Sequence, residues 1–227
     1  MGRSISIVDY KVQQAEFFLG KLEECECEFF AAQCYADAFV SACRSITFAV
    51  QAVCKEIAGF DQWYVDAQLR MKTDKICDFF KKYRTASVHI GDTPVRTATR
   101  HLGKSHYYFM PTQDIPEVPE EDVVAACNHY FTIIVELVFH LYNSFPTDLD
   151  DRWHYTAQHF TLKGMSIEDA EESFGYPRGW TQENGSGEEI VERWRILRKL
   201  HTSGPVIQDI FQKYLNQVIV GPDQRNS

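Results

Sequence analysis

The strongest pattern in the chain runs from Ala31 to Ile57, where Tyr35, Phe39, Ala42, Ile46, Val50, Val53 and Ile57 recur at steps of three and four. This predicts an amphipathic helix of about seven turns. Asp37, Ser41, Arg44, Ser45, Gln51 and Lys55 occupy its other side, and Gly59 supplies a stop. Val8, Val12, Ala15, Leu19, Leu22 and Phe29 mark an earlier helix from Val8 to about Phe30, with a bend or short break at Cys25-Glu26-Cys27-Glu28. A third helical region opens at Phe60 and continues, kinked near Thr73, through DKICDFFKKYRTASVHIG, where Ile76, Phe79, Phe80, Tyr83 and Ala86 share one face. Gly91-Asp92-Thr93-Pro94 breaks it. A fourth helix runs from Glu120 to Tyr142 on Val123, Ala126, Tyr130, Ile134, Leu137 and Leu141.

Between the third and fourth helices, VRTATRH and HYYFM flank Leu102-Gly103-Lys104-Ser105, which predicts a short β-hairpin. Beyond Ser144 the pattern is more broken. A loop is expected from Pro146 to Asp151, an extended stretch from Trp153 to Thr161, and a short helix IEDAEESF opened by a Ser166/Asp169 capping box. A Gly- and Pro-rich loop from Gly175 to Gly187, with Asn184-Gly185-Ser186 as a turn, precedes helices from Glu188 to His201 and Pro205 to Val220. The last five or so residues should fray. The expected fold class is therefore all-α: a four-helix bundle over residues 1–145 carrying a β-hairpin insertion, and a C-terminal helical extension over residues 146–227. Trp194, Leu197, Leu200, Ile207, Ile210 and Phe211 at helical spacing suggest that the extension packs on the bundle.

Charge narrows the partners. The chain carries a formal net charge of −9, which argues against a nucleic-acid binder over its whole surface. Yet from Arg70 to His106 nine lysines and arginines face three acids, a local excess of six positive charges. A basic segment in an acidic chain steers a polyanion to one place and repels it elsewhere; a solvated helix face beside a basic hairpin accounts for the same count. Seven cysteines, an odd number set mostly among apolar helical positions, fit reduced thiols of a cytoplasmic protein rather than a disulfide framework. No signal-peptide run and no stretch of about 18 apolar residues is evident, so a soluble chain without membrane partners is expected.

Several chemistries can be set aside. Gly103-Lys104-Ser105 resembles the end of a phosphate-binding loop, but Ala98 stands where that motif needs glycine. Asp148, Asp150 and Asp151 lack a companion carboxylate cluster, and are more simply a solvated turn. His101/His106 and His154/His159 are five apart, which on one helix or strand is a poor chelating spacing. There is no GxSxG elbow, and cysteines in apolar periodicity make poor nucleophiles. No cofactor and no metal site is expected.

What remains is Arg84 followed five residues later by His89 near a helix end. With DAFVSACRSITFAVQ on the second helix and FDQWY opening the third, RTASVH resembles the HEPN superfamily of all-α four-helix domains, over about Val8 to Tyr142. The resemblance implies a metal-independent endoribonuclease acting as a symmetric homodimer, with two Arg-x4-6-His motifs facing across a cleft, plausible in stress or phage defence or a toxin–antitoxin pair. In it Arg84 would hold the scissile phosphate and His89 would exchange protons with the ribose 2′-hydroxyl or the leaving 5′-oxygen, giving a 2′,3′-cyclic phosphate. An alternative is a non-catalytic module of the same fold that binds RNA or a nucleotide, or engages an inhibitory or activating protein partner. Thr85 departs from the amide common after the arginine, and Gly91 stands where some members carry a modified tyrosine.

Ser41, Arg44, Ser45, Lys81 and Thr85 are candidates to line the same cleft, or are interhelical and surface groups. Arg96, Arg100 and Lys104, interleaved with Tyr107 and Tyr108, are candidates for RNA contact; the aromatics would equally pack on the bundle. Arg84 could instead pair with Asp78 or Asp61, and His89 could be a helix-terminal histidine favoured by the dipole. Five residues along an ideal helix separate two side chains by about 140°. A single-chain site therefore needs the helix to end or distort before His89.

Overall fold

The structure, a computed structural model, describes residues 4–26, 28–180 and 187–224. Cys27, Asn184-Gly185-Ser186 and the final three residues lie outside it. Among the described residues the fold is all-α apart from one antiparallel hairpin, and the chain divides into two compact units, residues 1–137 and 138–227.

In the first unit α1 (Ser6–Glu23) lies along α2 (Phe29–Cys54). Val8, Val12, Ala15, Leu19 and Leu22 bury the apolar stripe of α1, each such side chain contributing about 1.5–3 kcal/mol. Phe39 of α2 sits at the centre of an aromatic core, edge-on to Phe80, Tyr130 and Phe131 at ring centroid separations of 6.4, 6.5 and 6.0 Å. Phe80 stacks on Tyr130 at 4.5 Å. Edge-to-face and offset pairs of this kind add to the burial term.

The expected third helix is two helices. α3 (Phe60–Thr73) ends and α4 (Lys75–His89) begins across Asp74, whose backbone is extended. The Asp74 carboxylate accepts from the backbone N–H groups of Ile76 at 2.8 Å and Cys77 at 3.1 Å. An aspartate N-cap satisfies two donors that a continuous helix would have bonded to its own carbonyls, so the predicted kink becomes a break. α4 then runs unbroken through His89 until Gly91 takes a left-handed conformation (φ +76°), and the N–H groups of Ile90, Gly91 and Asp92 all converge on the Ala86 carbonyl.

The hairpin pairs β1 (Val95–His101) with β2 (Lys104–Phe109) through a two-residue turn, Leu102-Gly103, with both residues at positive φ. Its root is held: the Gln33 side-chain amide donates to the Val95 carbonyl (2.8 Å), Tyr107 Oη donates to the Cys25 carbonyl (3.1 Å), and Phe109 packs against Phe79 at 4.7 Å. Tyr83, fully buried on α4, donates to Asp37 Oδ1 on α2 at 2.6 Å and lies 3.2 Å from the Thr93 hydroxyl. Burial, and then the Asp37 charge beside it, push the Tyr83 phenol well up, so it stays a donor.

α5 (Val123–Ser144) crosses from the first unit into the second. By length and composition it could span a membrane, with a mean hydropathy of 1.4 over its most apolar window, a stretch not expected from the sequence. Asn128, His129, Glu136 and His140 interrupt the run, and half of that window is buried inside the protein.

In the second unit the expected loop and extended stretch after Ser144 are short helices: α6 (Pro146–Leu149), α7 (Asp151–His154) and α8 (Ala157–Leu162). Asp150 and Thr156 cap the last two with their side chains, which is how aromatic and β-branched residues were drawn from extended into helical geometry. The Ser166/Asp169 capping box opens α9 (Ile167–Ser173) as predicted. α10 (Gly187–His201) follows, and α11 (Gln208–Leu215) is shorter than expected because Asn216 adopts a left-handed cap. Phe160, Ala170, Trp194 and Leu197 form one core cluster here, and the Phe139 and Tyr142 rings pack edge-on against Phe211 at centroid separations of 5.3 and 6.1 Å.

Candidate functional site

In the first unit α2, α3 and α4 enclose a cavity of about 290 Å³. Val40, Arg44 and Thr47 of α2 line it at helical steps, as do Tyr64, Gln68, Met71 and Lys72 of α3. α4 contributes Cys77, Asp78, Phe80, Lys81, Arg84 and Thr85, and α5 closes it with Tyr130. Four cations, Arg44, Lys72, Lys81 and Arg84, therefore meet one acid, Asp78, which already holds Lys82 at 2.7 Å. An arrangement of this kind attracts an anion.

Arg84 is half-buried and forms no ion pair among the described residues, neither with Asp78 nor with Asp61. Its fork of donors suits a phosphate held in two places. Arg44 donates to Thr47 Oγ1 at 3.1 Å and lies over the Phe48 ring at 4.3 Å, which fixes the guanidinium without neutralising it. The floor is aromatic and neutral. Burial pushes the Tyr130 phenol well up, and burial and the Asp74 charge push the Cys77 thiol up to about 12, so Cys77 is not a nucleophile near neutral pH.

Of the sequence candidates, the cavity brings together Arg44, Lys81, Arg84 and Thr85. Ser41 and Ser45 do not line it; Ser45 Oγ bonds back to the Ser41 carbonyl at 2.9 Å. His89 does not line it either. It is exposed, the last residue of α4, and its side chain makes no hydrogen bond or ion pair among the described residues. Because α4 stays helical to that point, His89 lies about 140° around the axis from Arg84 and about 7.5 Å further along it. It continues the edge of the helix that Thr85 begins, one turn beyond the cavity. Lys72 and the rest of the α3 wall were missed; the i, i+4 spacing of Tyr64, Gln68 and Lys72 was the available signal.

A larger hollow of about 830 Å³ lies by the start of α4. Asp74, Asp78, Glu117, Glu120 and Glu121 outnumber Lys72, Lys75 and Lys82 there, so it does not favour a polyanion. On the hairpin, Arg96 pairs with Asp92, whereas Arg100 and Lys104 form no ion pair among the described residues. Tyr107 is buried with its hydroxyl bonded, which removes it as a base-stacking group, while Tyr108 on the other face is partly exposed.

Two further expectations concern metals. The rings of His154 and His159 approach to 4.6 Å, which the five-residue spacing did not foretell because the helix breaks between them at Tyr155 and Thr156. Among the described residues no group of three or more His, Cys, Asp or Glu side chains is placed to hold a metal ion. Compared with protein-family models, curated proteins and solved structures, the chain has no match.

Proposed function

We propose that this chain is an HEPN-type RNA-binding protein that cleaves RNA as a symmetric pair, with the scissile phosphate held at Arg84. The observation that carries the reading is the unpaired Arg84 guanidinium in a cavity where Arg44, Lys72 and Lys81 add charge against a single carboxylate, Asp78, which is bonded to Lys82. In the reaction the ribose 2′-oxygen attacks phosphorus, its proton passes to a base, and the bond from phosphorus to the 5′-oxygen breaks as that oxygen gains a proton. The products are a 2′,3′-cyclic phosphate and a 5′-hydroxyl. Two proton transfers call for two imidazoles, and each chain offers one His89 at the end of α4. Two copies meeting through that end supply both, one as base and one as acid. The chemistry asks for no metal ion, because Arg84 stabilises the added charge on the phosphoryl oxygens.

The position of His89 outside the cavity favours a second reading, in which the same cleft binds RNA or a nucleotide without cutting it. One experiment separates the two: wild type and His89→Ala are incubated with labelled single-stranded RNA in EDTA, and the 3′ ends of the products are mapped. Cleavage to cyclic-phosphate ends that falls by about 10²–10⁴-fold in the variant supports the nuclease. RNA binding without cleavage by a dimeric wild type moves the assignment to the binding module, and a wild type that binds no RNA removes the nuclease and leaves a nucleotide as the cleft's one remaining ligand.

A further inference from the structure

The hairpin divides into two halves of different character. Its root is built into the first unit through Val95, Tyr107 and Phe109, all buried. From Ala98 to Lys104 every residue is exposed. Four steps of strand from Ala98 to Leu102 carry the tip about 14 Å beyond that root. The register places Arg100 opposite Ser105 and His101 opposite Lys104. Opposite residues share a face and successive residues alternate, so Arg100 projects from one face of the ribbon and Lys104 from the other. A ribbon laid flat on an anion needs cations on one face only. Cations on both faces suit one that sits between phosphates.

The tip adds a second feature. Leu102 is 90% exposed, more than any other large hydrophobic residue described, and its backbone is left-handed (φ +48°). A leucine there costs about 1 kcal/mol or more relative to the glycine or asparagine that such turns prefer. Neither burial nor packing offsets that cost in the free protein, whereas an apolar residue at the end of a basic projection is the form of a wedge that separates stacked bases.

We propose that the outer half of the β1–β2 hairpin is an RNA-gripping arm, with Arg100 and Lys104 on phosphates and Leu102 against an unstacked base in a single-stranded loop. The proposal rests on the RNA reading of the cleft and extends it to a second site with its own residues. A loop is the fitting target because the major groove of an A-form duplex is too narrow for a ribbon, while loop bases are free to splay.

The test measures binding of a fluorescein-labelled RNA stem-loop, and of a perfect duplex RNA, by anisotropy across a salt series. In Arg100→Ala/Lys104→Ala, stem-loop affinity should fall and the slope of log K against log salt should flatten by about 1.4, at about 0.7 per lost phosphate contact on single strands. Leu102→Asn keeps a residue suited to the turn; it should bind less tightly with the slope unchanged, and lose the preference for stem-loop over duplex. Circular dichroism should match wild type in both, since the altered side chains are exposed; Tm should hold in the double variant and rise slightly in Leu102→Asn, where the strain of the turn is relieved. Wild-type binding and slope retained in both variants would overturn the arm while leaving the cleft reading intact. A wild type that binds no RNA would overturn the cleft reading and the arm with it. Equal or tighter binding to a DNA stem-loop of the same sequence would overturn the assignment to RNA.

Discussion

The arginines of the two units are used in opposite ways. In the second unit every described arginine is tied to a carboxylate: Arg152 to Asp150, Arg178 to Glu168, Asp169 and Glu172, Arg193 to Glu171, Arg195 to Glu192, and Arg198 to Asp223. Several also reach backbone carbonyls, Arg198 that of Tyr155 at 2.9 Å and Arg152 that of Ile219 at 3.0 Å. In the first unit Arg44, Arg70, Arg84 and Arg100 form no ion pair among the described residues, and Arg96 alone does. A guanidinium with its donors spent on carboxylates is part of the scaffold, while one left open in a cavity or on an arm is available to a ligand. Within the local charge excess seen in the sequence, Lys82 and Arg96 pair with Asp78 and Asp92, and the other cations form no ion pair among the described residues.

That contrast can be broken, most strongly at Arg84. Arg84→Ala should weaken RNA binding by about 10- to 150-fold, the equivalent of the 1.5–3 kcal/mol expected of a charged hydrogen bond, and leave stability within about 0.5 kcal/mol. Titrating RNA into both proteins and melting both in urea checks the pair of outcomes. The reverse pattern is expected at Arg198. Its side chain is 9% exposed and that of Asp223 is 40% exposed, so Arg198→Ala should cost about 2 kcal/mol, less than the 3–5 of a fully buried pair because Asp223 remains in water. RNA affinity should not move.

The smallest effect sharpens the comparison through pH. The backbone N–H of Ser166, and then the Arg178 side chain, hold the Asp169 carboxyl below its usual range, and hydrogen bonding from Arg195 does the same for Glu192. Carboxyls lowered by folding contribute stability that is present above the ordinary carboxylate range, near about pH 4, and is lost as the pH falls through their lower native values. Acid should therefore loosen the second unit by a small amount. Trp153, Trp180 and Trp194 report on that unit against Trp63 alone in the first, so the shift is read in tryptophan emission during acid titration.

The long helices were legible because each keeps one apolar stripe over many turns, as Val8 to Leu22 and Phe39 to Val50 do. The break at Asp74 was hidden, since the stripe continues through it and only the side-chain cap reveals the interruption. The short helices between Pro146 and Leu162 were missed for a related reason: a run of four to six residues is too brief for periodicity to show, and its caps decide its geometry. At the site, Lys81, Arg84 and Thr85 could be grouped from α4 alone, whereas the i, i+4 row of Tyr64, Gln68 and Lys72 shows one face of α3 without showing which helices that face meets. Tyr107 shows a signal that was present and unused. Alternation along β2 puts Tyr107 and Phe109 on one face and Tyr108 on the other, which separates the aromatics that pack from the one that faces outward.

Tyr83 precedes Arg84 in the chain, and its hydroxyl meets Asp37 on α2 and Thr93 at the root of the hairpin. One phenol thus clasps the end of α4, the wall of the cavity and the base of the arm. Local opening at this junction must release all three together, so their amides belong to a single cooperative unit in hydrogen exchange. The cleft and the arm proposed above would thus share one anchor, the Tyr83 hydroxyl, next in the chain to Arg84.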